Sequence, residues 1–179
     1  MDYAISSDLL ANSQADYRIY EVLRGEVWRF GSGFQILAAD TNYGTINFTT
    51  PATGLVTYSP ANVDKTGFEA TFSLIEGGTY VATGATTITP YNLNRNTLTA
   101  SPFGTVRIGL SPAGTTITGG VAQPEELLPG ASGGASRESG ALNAPAIQVL
   151  KPATNYTWKI LARGGVVNFS AAIDLIWEQ

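Results

Sequence analysis

The 179-residue sequence contains no cysteine and no histidine, and these two absences remove a large part of protein chemistry. Without cysteine there is no disulfide scaffold, no thiolate zinc site, no iron–sulfur cluster and no thiol nucleophile. Without histidine, a Ser–His–Asp arrangement is excluded as well. An enzyme built on this chain would have to use carboxylates, a Ser–Lys pair or a metal held by the backbone.

Charge is also scarce. Charged residues make up 13% of the chain, against about a quarter in ordinary proteins, and neutral Thr, Ser, Gly and Asn take their place. The ten Lys and Arg residues are scattered and the net charge is −4, whereas binding to phosphates needs clustered cations. In the densest basic stretch, from Arg18 to Arg29, Glu21 and Glu26 are interleaved with the cations. We therefore expect no nucleic-acid partner.

Long apolar runs are missing too. No run approaches the roughly 18 residues of a membrane span, so we expect no membrane partner. The opening Met1-Asp2-Tyr3 lacks the basic and apolar regions of a signal peptide, which predicts assembly in a cytoplasm. At 44% hydrophobic residues, a chain of this size is long enough for one domain with a substantial core.

Short alternating runs are what the sequence does contain. From residue 17 onward, stretches of four to eight residues rich in β-branched and aromatic types recur between Gly, Pro, Asn and Asp. The first, Arg18 to Leu23, is interpreted as a strand run that leads into the next run, Gly25 to Phe30, and the clearest strand runs from Phe68 to Glu76. The pattern predicts an all-β fold, an antiparallel and jelly-roll-like β-sandwich of about nine to ten strands.

Two segments depart from this pattern. Residues 1–16 are interpreted as a short N-terminal arm, either a frayed terminus or a segment that orders against a partner. Residues 119–145 are rich in Gly, Ser, Ala and Pro and are interpreted as one long loop excursion from a single domain over 17–179. Loops of that length are usually functional or mobile.

The carboxylates offer little sign of catalysis. A glycosidase needs two facing carboxylates, but Glu69 is interpreted as a solvent-facing strand residue and Asp174 as the outward position of an alternating strand. Glu76 has no more suggestive setting, and Asp40 and Asp64 are too sparse for a calcium loop. We therefore expect no enzymatic activity, no cofactor and no metal site.

The middle and the end of the chain carry more specific motifs. The strand Phe68 to Glu76 is followed by Gly77-Gly78 and, after a spacer, by Thr89-Pro90-Tyr91-Asn92-Leu93-Asn94-Arg95-Asn96. The end combines Leu150-Lys151-Pro152-Ala153-Thr154-Asn155-Tyr156 with Asp174-Leu175-Ile176-Trp177-Glu178, and Gly133 to Glu138 form a Gly-rich segment before it. Over residues 20–179 these motifs resemble those of a family of tailed-phage virion structural proteins, the capsid decoration (cement) proteins.

The resemblance implies a location and partners. It implies a protein of the capsid exterior that binds the assembled major capsid protein and stabilises the shell, acting as a homotrimer at local threefold positions. A neutral surface over a rigid β core, without catalytic groups, is compatible with this role. The alternative is a receptor- or glycan-binding module of a tail or head fibre, which predicts an exposed aromatic platform; a carboxylate hydrolase is a third interpretation.

Candidate partner-binding residues lie where a β core does not explain the sequence. From residue chemistry alone, the Asn-rich segment from Asn92 to Asn96 is expected to be a turn whose side chains bind local backbone groups. The candidates lie on the arm and in this turn: Tyr3, Ile5, Leu9, Leu10, Asn94, Arg95 and Asn96.

Overall fold

The protein is an antiparallel, nearly all-β structure. A computed structural model describes residues 19–96, 100–111, 115–130, 137–141 and 148–178, with side chains described for all of these except 59–62, 82 and 137–141. One short helix, α1, covers residues 19–24. The strands are β1 (Val27–Leu37), β2 (Tyr43–Thr49), β3 (Leu55–Glu76), β4 (Thr79–Ala82), β5 (Thr86–Ile88), β6 (Tyr91–Asn92), β7 (Val106–Leu110), β8 (Thr115–Thr118), β9 (Val121–Ala122), β10 (Glu126–Leu128), β11 (Arg137–Ala141), β12 (Gln148–Leu150) and β13 (Asn155–Glu178).

The 24-residue strand β13 lies at the centre of the main sheet. One edge of β13 pairs with β3 along nearly its whole length, from Tyr156 opposite Glu76 to Glu178 opposite Leu55. The other edge pairs with β2 over the first part of β13 and with β1 over the second part. The outer edge of β3 pairs in turn with β9, β10, β11 and β12. A separate two-stranded sheet joins β4 and β8.

Both long strands change register near the middle. The ladder between β3 and β13 is interrupted between Arg163 and Val167, opposite Gly67. Gly67 has a φ of +99° and Gly164 a φ of +83°, a conformation that glycine adopts without the steric cost of a Cβ atom. These glycines let each strand continue through the irregularity instead of ending there.

Aromatic contacts join the part of the sheet before this interruption to the part beyond it. Phe30 of β1 lies 5.4 Å from Phe48 of β2, measured between ring centroids. Tyr58, near the start of β3, packs edge-on against Trp158, near the start of β13, at 5.2 Å. Because these residues come from opposite ends of the long ladders, the sheet curls over a single core.

One cluster of buried residues forms that core. Its members face inward on alternating positions, as in Val167, Phe169, Ala171, Ile173 and Leu175 of β13. Period-two burial of this kind is what the alternating runs predicted. The expected all-β, antiparallel sandwich is confirmed, while the jelly-roll topology stays a prediction.

The structure differs from the expected strand boundaries at three places. The long strands β3 and β13 each join two expected runs, and very short strands raise the number of strands within the described ranges to thirteen. Within the expected 119–145 excursion, 121–122, 126–128 and 137–141 pair with β3. The outer edge of β3 explains this pairing, because an unpaired strand edge offers main-chain donors and acceptors to any neighbouring segment, whatever its side chains. The expected arm, 1–16, lies outside the described residues.

The prediction of a strand from Arg18 to Leu23 is wrong, because residues 19–24 form the helix α1. Gly25 follows the helix with a φ of +78°. The Gly25 N–H donates to the Val22 carbonyl and the Glu26 N–H donates to the Glu21 carbonyl, both at 3.0 Å. These are the two hydrogen bonds of a Schellman motif, which ends a helix at a glycine.

Candidate docking surface

The end of the sheet next to α1 is covered on its outer face. Val27 of β1 and Ile176 of β13 are cross-strand partners and point away from the core, opposite to their neighbours Trp28 and Leu175. Both are nevertheless buried. Burial on this face shows that other segments cover it, and the backbone places α1 and the Asn-rich turn here, since the Leu93 N–H donates to the Val27 carbonyl at 2.9 Å.

The Asn-rich turn holds the end of α1. The Asn94 side-chain amide donates to the Leu23 carbonyl at 2.9 Å, and the Asn92 amide donates to the Gly25 carbonyl. The carbonyls at the end of a helix lack intrahelical partners, so these amides supply them. The same side chains also accept local bonds, from the Asn94 N–H to Asn92 Oδ1 and from the Asn96 N–H to Asn94 Oδ1.

The turn therefore does more than the sequence predicts. Satisfaction of local backbone groups is confirmed by the two Asx-type bonds. The bond from Asn94 reaches a residue 71 positions away along the chain. It brings the candidates Asn94, Arg95 and Asn96 beside α1, whereas Tyr3, Ile5, Leu9 and Leu10 lie outside the described residues.

Large apolar side chains are exposed on α1. Ile19, Tyr20 and Leu23 all point into solvent, and Leu23 is 71% exposed. Contiguous exposed apolar side chains on a soluble protein commonly mark an interaction site. None of the three was a candidate from the sequence. The Gly25 stop signal could have identified the helix, but nothing local showed that these side chains would remain uncovered.

Two arginine–tyrosine pairs lie in the same region. The Arg24 guanidinium lies 5.5 Å from the centre of the Tyr20 ring, and the Arg95 guanidinium lies 5.8 Å from the centre of the Tyr91 ring. Tyrosine and arginine are enriched among the residues that dominate binding energy at protein interfaces. We call the exposed set the α1 surface, and it consists of Ile19, Tyr20, Leu23, Arg24, Tyr91 and Arg95.

A bidentate ion pair lies beside Tyr91, which is the cross-strand partner of Arg29. Arg29 of β1 donates from Nε and Nη2 to the two carboxylate oxygens of Asp174 at 2.6 and 2.7 Å. Hydrogen bonding to Asp174 raises the pKa of Arg29 above its ordinary value, with a smaller contribution from Tyr91. Asp174 thus lies on the outward face, as expected, but it is buried and paired across the strands. The pair fixes the part of the sheet that supports Tyr91.

An acidic group lies beneath α1. Glu21 is only 2% exposed, and this burial raises its pKa from 4.5 to about 7, helped by a hydrogen bond that the protonated Glu21 carboxyl donates to Glu26 and by the negative charges of Glu26 and Glu178. Arg24 opposes the shift and is paired with Glu26 at 2.6 Å. One oxygen each of Glu21 and Glu26 is buried without a hydrogen-bond partner in the described part of the chain. The burial of Glu21 therefore favours its neutral, protonated form.

The other carboxylates considered from the sequence do not converge. Glu69 and Glu76 lie seven positions apart on β3, opposite Arg163 and Tyr156, while Asp174 lies near the opposite end of the β3–β13 ladder. Hydrogen bonds from Lys151 and, more weakly, from Tyr156 lower the pKa of Glu76. Glu69 is exposed. Across the described ranges, no three acidic side chains come together as a metal site would require.

Comparisons with known proteins add no relative. No family model, no curated protein and no solved structure matches this chain. Within the described ranges, no helix has the length and apolar character that crossing a membrane requires.

Proposed function

We propose that this protein is a non-enzymatic structural protein of a phage virion that binds the outside of the assembled capsid and stabilises it, as a homotrimer at local threefold positions. The observation that supports this proposal is the α1 surface. It combines exposed apolar side chains with two arginine–tyrosine pairs on a rigid sandwich. Its proposed occupant is the major capsid protein in its assembled form.

The position of the α1 surface favours this role. Asn92 and Asn94 fix the end of the helix to the turn, and the Arg29–Asp174 pair fixes the strands beneath it. Binding then requires little ordering of the surface itself, which lowers the entropic cost of association. The predicted arm, 1–16, lies outside the described residues and stays a second predicted contact with the partner.

Trimerisation would turn a modest surface into a strong attachment. Three copies that engage neighbouring coat subunits bind at a high effective concentration, so weak individual contacts add up to a stable complex. A protein that binds the assembled shell and not free subunits stabilises the shell by mass action. A net charge of −4 suits the exterior of a capsid better than a surface that faces packaged DNA.

Co-sedimentation with purified expanded capsids tests the proposal. Leu23→Asp places a charge on the α1 surface and is expected to weaken capsid binding at least tenfold. Val121→Asp is a matched control, because Val121 of β9 is 70% exposed and lies outside the α1 surface. Both variants should retain the wild-type circular dichroism spectrum and a trimer mass in light scattering. Binding of Leu23→Asp at the wild-type level would overturn the role of the α1 surface.

A further inference from the structure

A groove crosses the outer face of the sheet on the strands β1, β13 and β3. It has a volume of about 310 Å³. Asn168 and Ser170 of β13 form its floor, Phe34 of β1 lies on one side, and Asp64 and Thr66 of β3 lie on the other. The pairing places Phe34 opposite Ser170 and Ser170 opposite Asp64, and directly paired residues project from the same face of a sheet.

Phe34 is held in place although it is exposed. Its side chain is 69% exposed, and it follows a register irregularity between Gly31 and Gly33. The Ala171 N–H donates to the Ser32 hydroxyl at 3.0 Å, which fixes the irregular segment to β13. Irregularities of this kind occur next to binding sites, where they reorient a side chain. The ring therefore presents one face to the groove without a partner from the core.

The polar groups around the ring are available to a ligand. Among the side chains that the structure describes, neither the Asp64 carboxylate nor the Ser170 hydroxyl has a hydrogen-bond or ion-pair partner. The Asn168 amide reaches the Thr66 hydroxyl only at 3.4 Å, at the long end for a hydrogen bond. A carboxylate accepts hydrogen bonds, a hydroxyl both donates and accepts, and an amide side chain does both at separate atoms.

We propose that this groove binds a neutral oligosaccharide, with one pyranose ring stacked on Phe34 and its hydroxyl groups bonded to Asp64, Asn168 and Ser170. A pyranose has an apolar C–H face and a rim of hydroxyls, which matches an exposed ring beside donors and acceptors. The Asp64 carboxylate disfavours acidic sugars, because the ammonium group of Lys65, which also lines the groove, is buried and donates to the Phe68 carbonyl. The volume lies at the lower end of the ~300–1,000 Å³ of ligand pockets, so one or two sugar rings fit.

A polar floor distinguishes this groove from the α1 surface. An apolar peptide would bury the carboxylate and the hydroxyl without satisfying them, which costs free energy. Sugar hydroxyls satisfy both groups. Sugar binding here is independent of capsid attachment and would add a glycan-binding activity to a protein fixed by another surface.

Amide chemical shifts of the full-length protein measure this binding directly. Cellohexaose, maltohexaose and chitohexaose are titrated separately to millimolar concentration. At least one should give saturable shifts at the amides of Phe34, Asn168 and Ser170, with a dissociation constant in the millimolar range. Phe34→Ala should weaken the binding at least tenfold, and Phe34→Tyr should preserve it. Asp64→Asn should weaken it severalfold.

Ile36→Ala is the matched control. Ile36 lies on the same strand and the same face as Phe34 and is 52% exposed, but it does not line the groove. This variant should bind the sugar like the wild type. Phe34→Ala should also sediment with capsids as the wild type does, whereas Leu23→Asp should lose capsids and keep the sugar, so the two proposals fail separately.

Four results would overturn the sugar site. One is the absence of saturable shifts with all three oligosaccharides. A second is shifts that lie away from the groove. A third is equal sugar affinity of Phe34→Ala and the wild type. The fourth is a change in oligomer mass for Phe34→Ala, which would show that the groove is a contact between copies of the chain.

Discussion

Replacement of Glu21 by glutamine should remove a pH dependence of stability. In the folded protein the pKa of Glu21 is raised from 4.5 to about 7 by burial and by Glu26 and Glu178. Below pH ~4.5 the carboxyl is protonated in both the folded and the unfolded state, so it costs nothing. Between the two pKa values the folded state keeps a proton that the unfolded state has released. Stability therefore falls as the pH rises and is lowest above the folded-state pKa.

The structure gives the size of this effect. A difference of about 2.5 between the two pKa values, at ~1.4 kcal/mol for each pH unit, corresponds to about 3 kcal/mol. The Glu21 carboxyl should lower the free energy of unfolding by this amount between about pH 4 and about pH 8. Glutamine has the same shape and no charge in this range, so Glu21→Gln should be close to wild type at the acidic end and about 3 kcal/mol more stable at the alkaline end.

Urea unfolding followed by tryptophan fluorescence at several pH values measures the difference. Glu69→Gln removes one negative charge from an exposed position of β3 and controls for net charge. The lowered pKa of Glu76 acts in the opposite direction, because its contribution is lost as the pH falls below the ordinary carboxyl pKa. The same fall in stability with rising pH in wild type and Glu21→Gln would show that Glu21 is not the source of the pH dependence.

Three further substitutions test the fold and the supports of the α1 surface. Gly67→Ala should destabilise the protein by at least ~2 kcal/mol in urea unfolding, because alanine disfavours the φ of +99° and its Cβ would clash with the Val166 carbonyl. The same change at Gly78, where φ is not positive and the nearest contact of an added Cβ is 3.1 Å, should cost less. Equal losses of stability in the two variants would contradict this explanation. Asn94→Ala should cost about 1 kcal/mol and increase amide hydrogen exchange in α1 but not in β13, so unchanged exchange in α1 would show that the Asn94–Leu23 bond does not hold the helix. Asp174→Ala leaves the Arg29 guanidinium without its carboxylate and should cost about 2 kcal/mol, measured by thermal unfolding, whereas Glu125→Ala, which removes an exposed partner of Arg163 at 3.3 Å, should change stability by less than ~1 kcal/mol.

The sandwich could be predicted because alternation is a local signal. Residues such as Phe72 and Leu74 follow the period of two, and each faces the core. The joining of two runs into β3 or β13 could not be predicted in the same way. Glycines such as Gly67 and Gly164 commonly mark turns, and only the continued ladder between the two strands shows that the chain passes through them.

The helix α1 and its surface were harder to predict. From Ile19 to Leu23 the apolar residues fit a strand as well as a helix, and the residue that is most deeply buried is the charged Glu21. The Gly25 stop was a usable local signal. The bond from Asn94 to Leu23 joins segments 71 positions apart, and that contact depends on tertiary structure alone.

A cryo-electron-microscopy reconstruction of capsids saturated with this protein would show whether and how it binds the shell. We expect three copies around each local threefold axis, with α1, Tyr91 and Arg95 against the coat subunits and the Phe34 groove facing solvent. A decorated shell in which α1 faces solvent, or a shell that carries no added density at saturating concentration, would contradict this expectation.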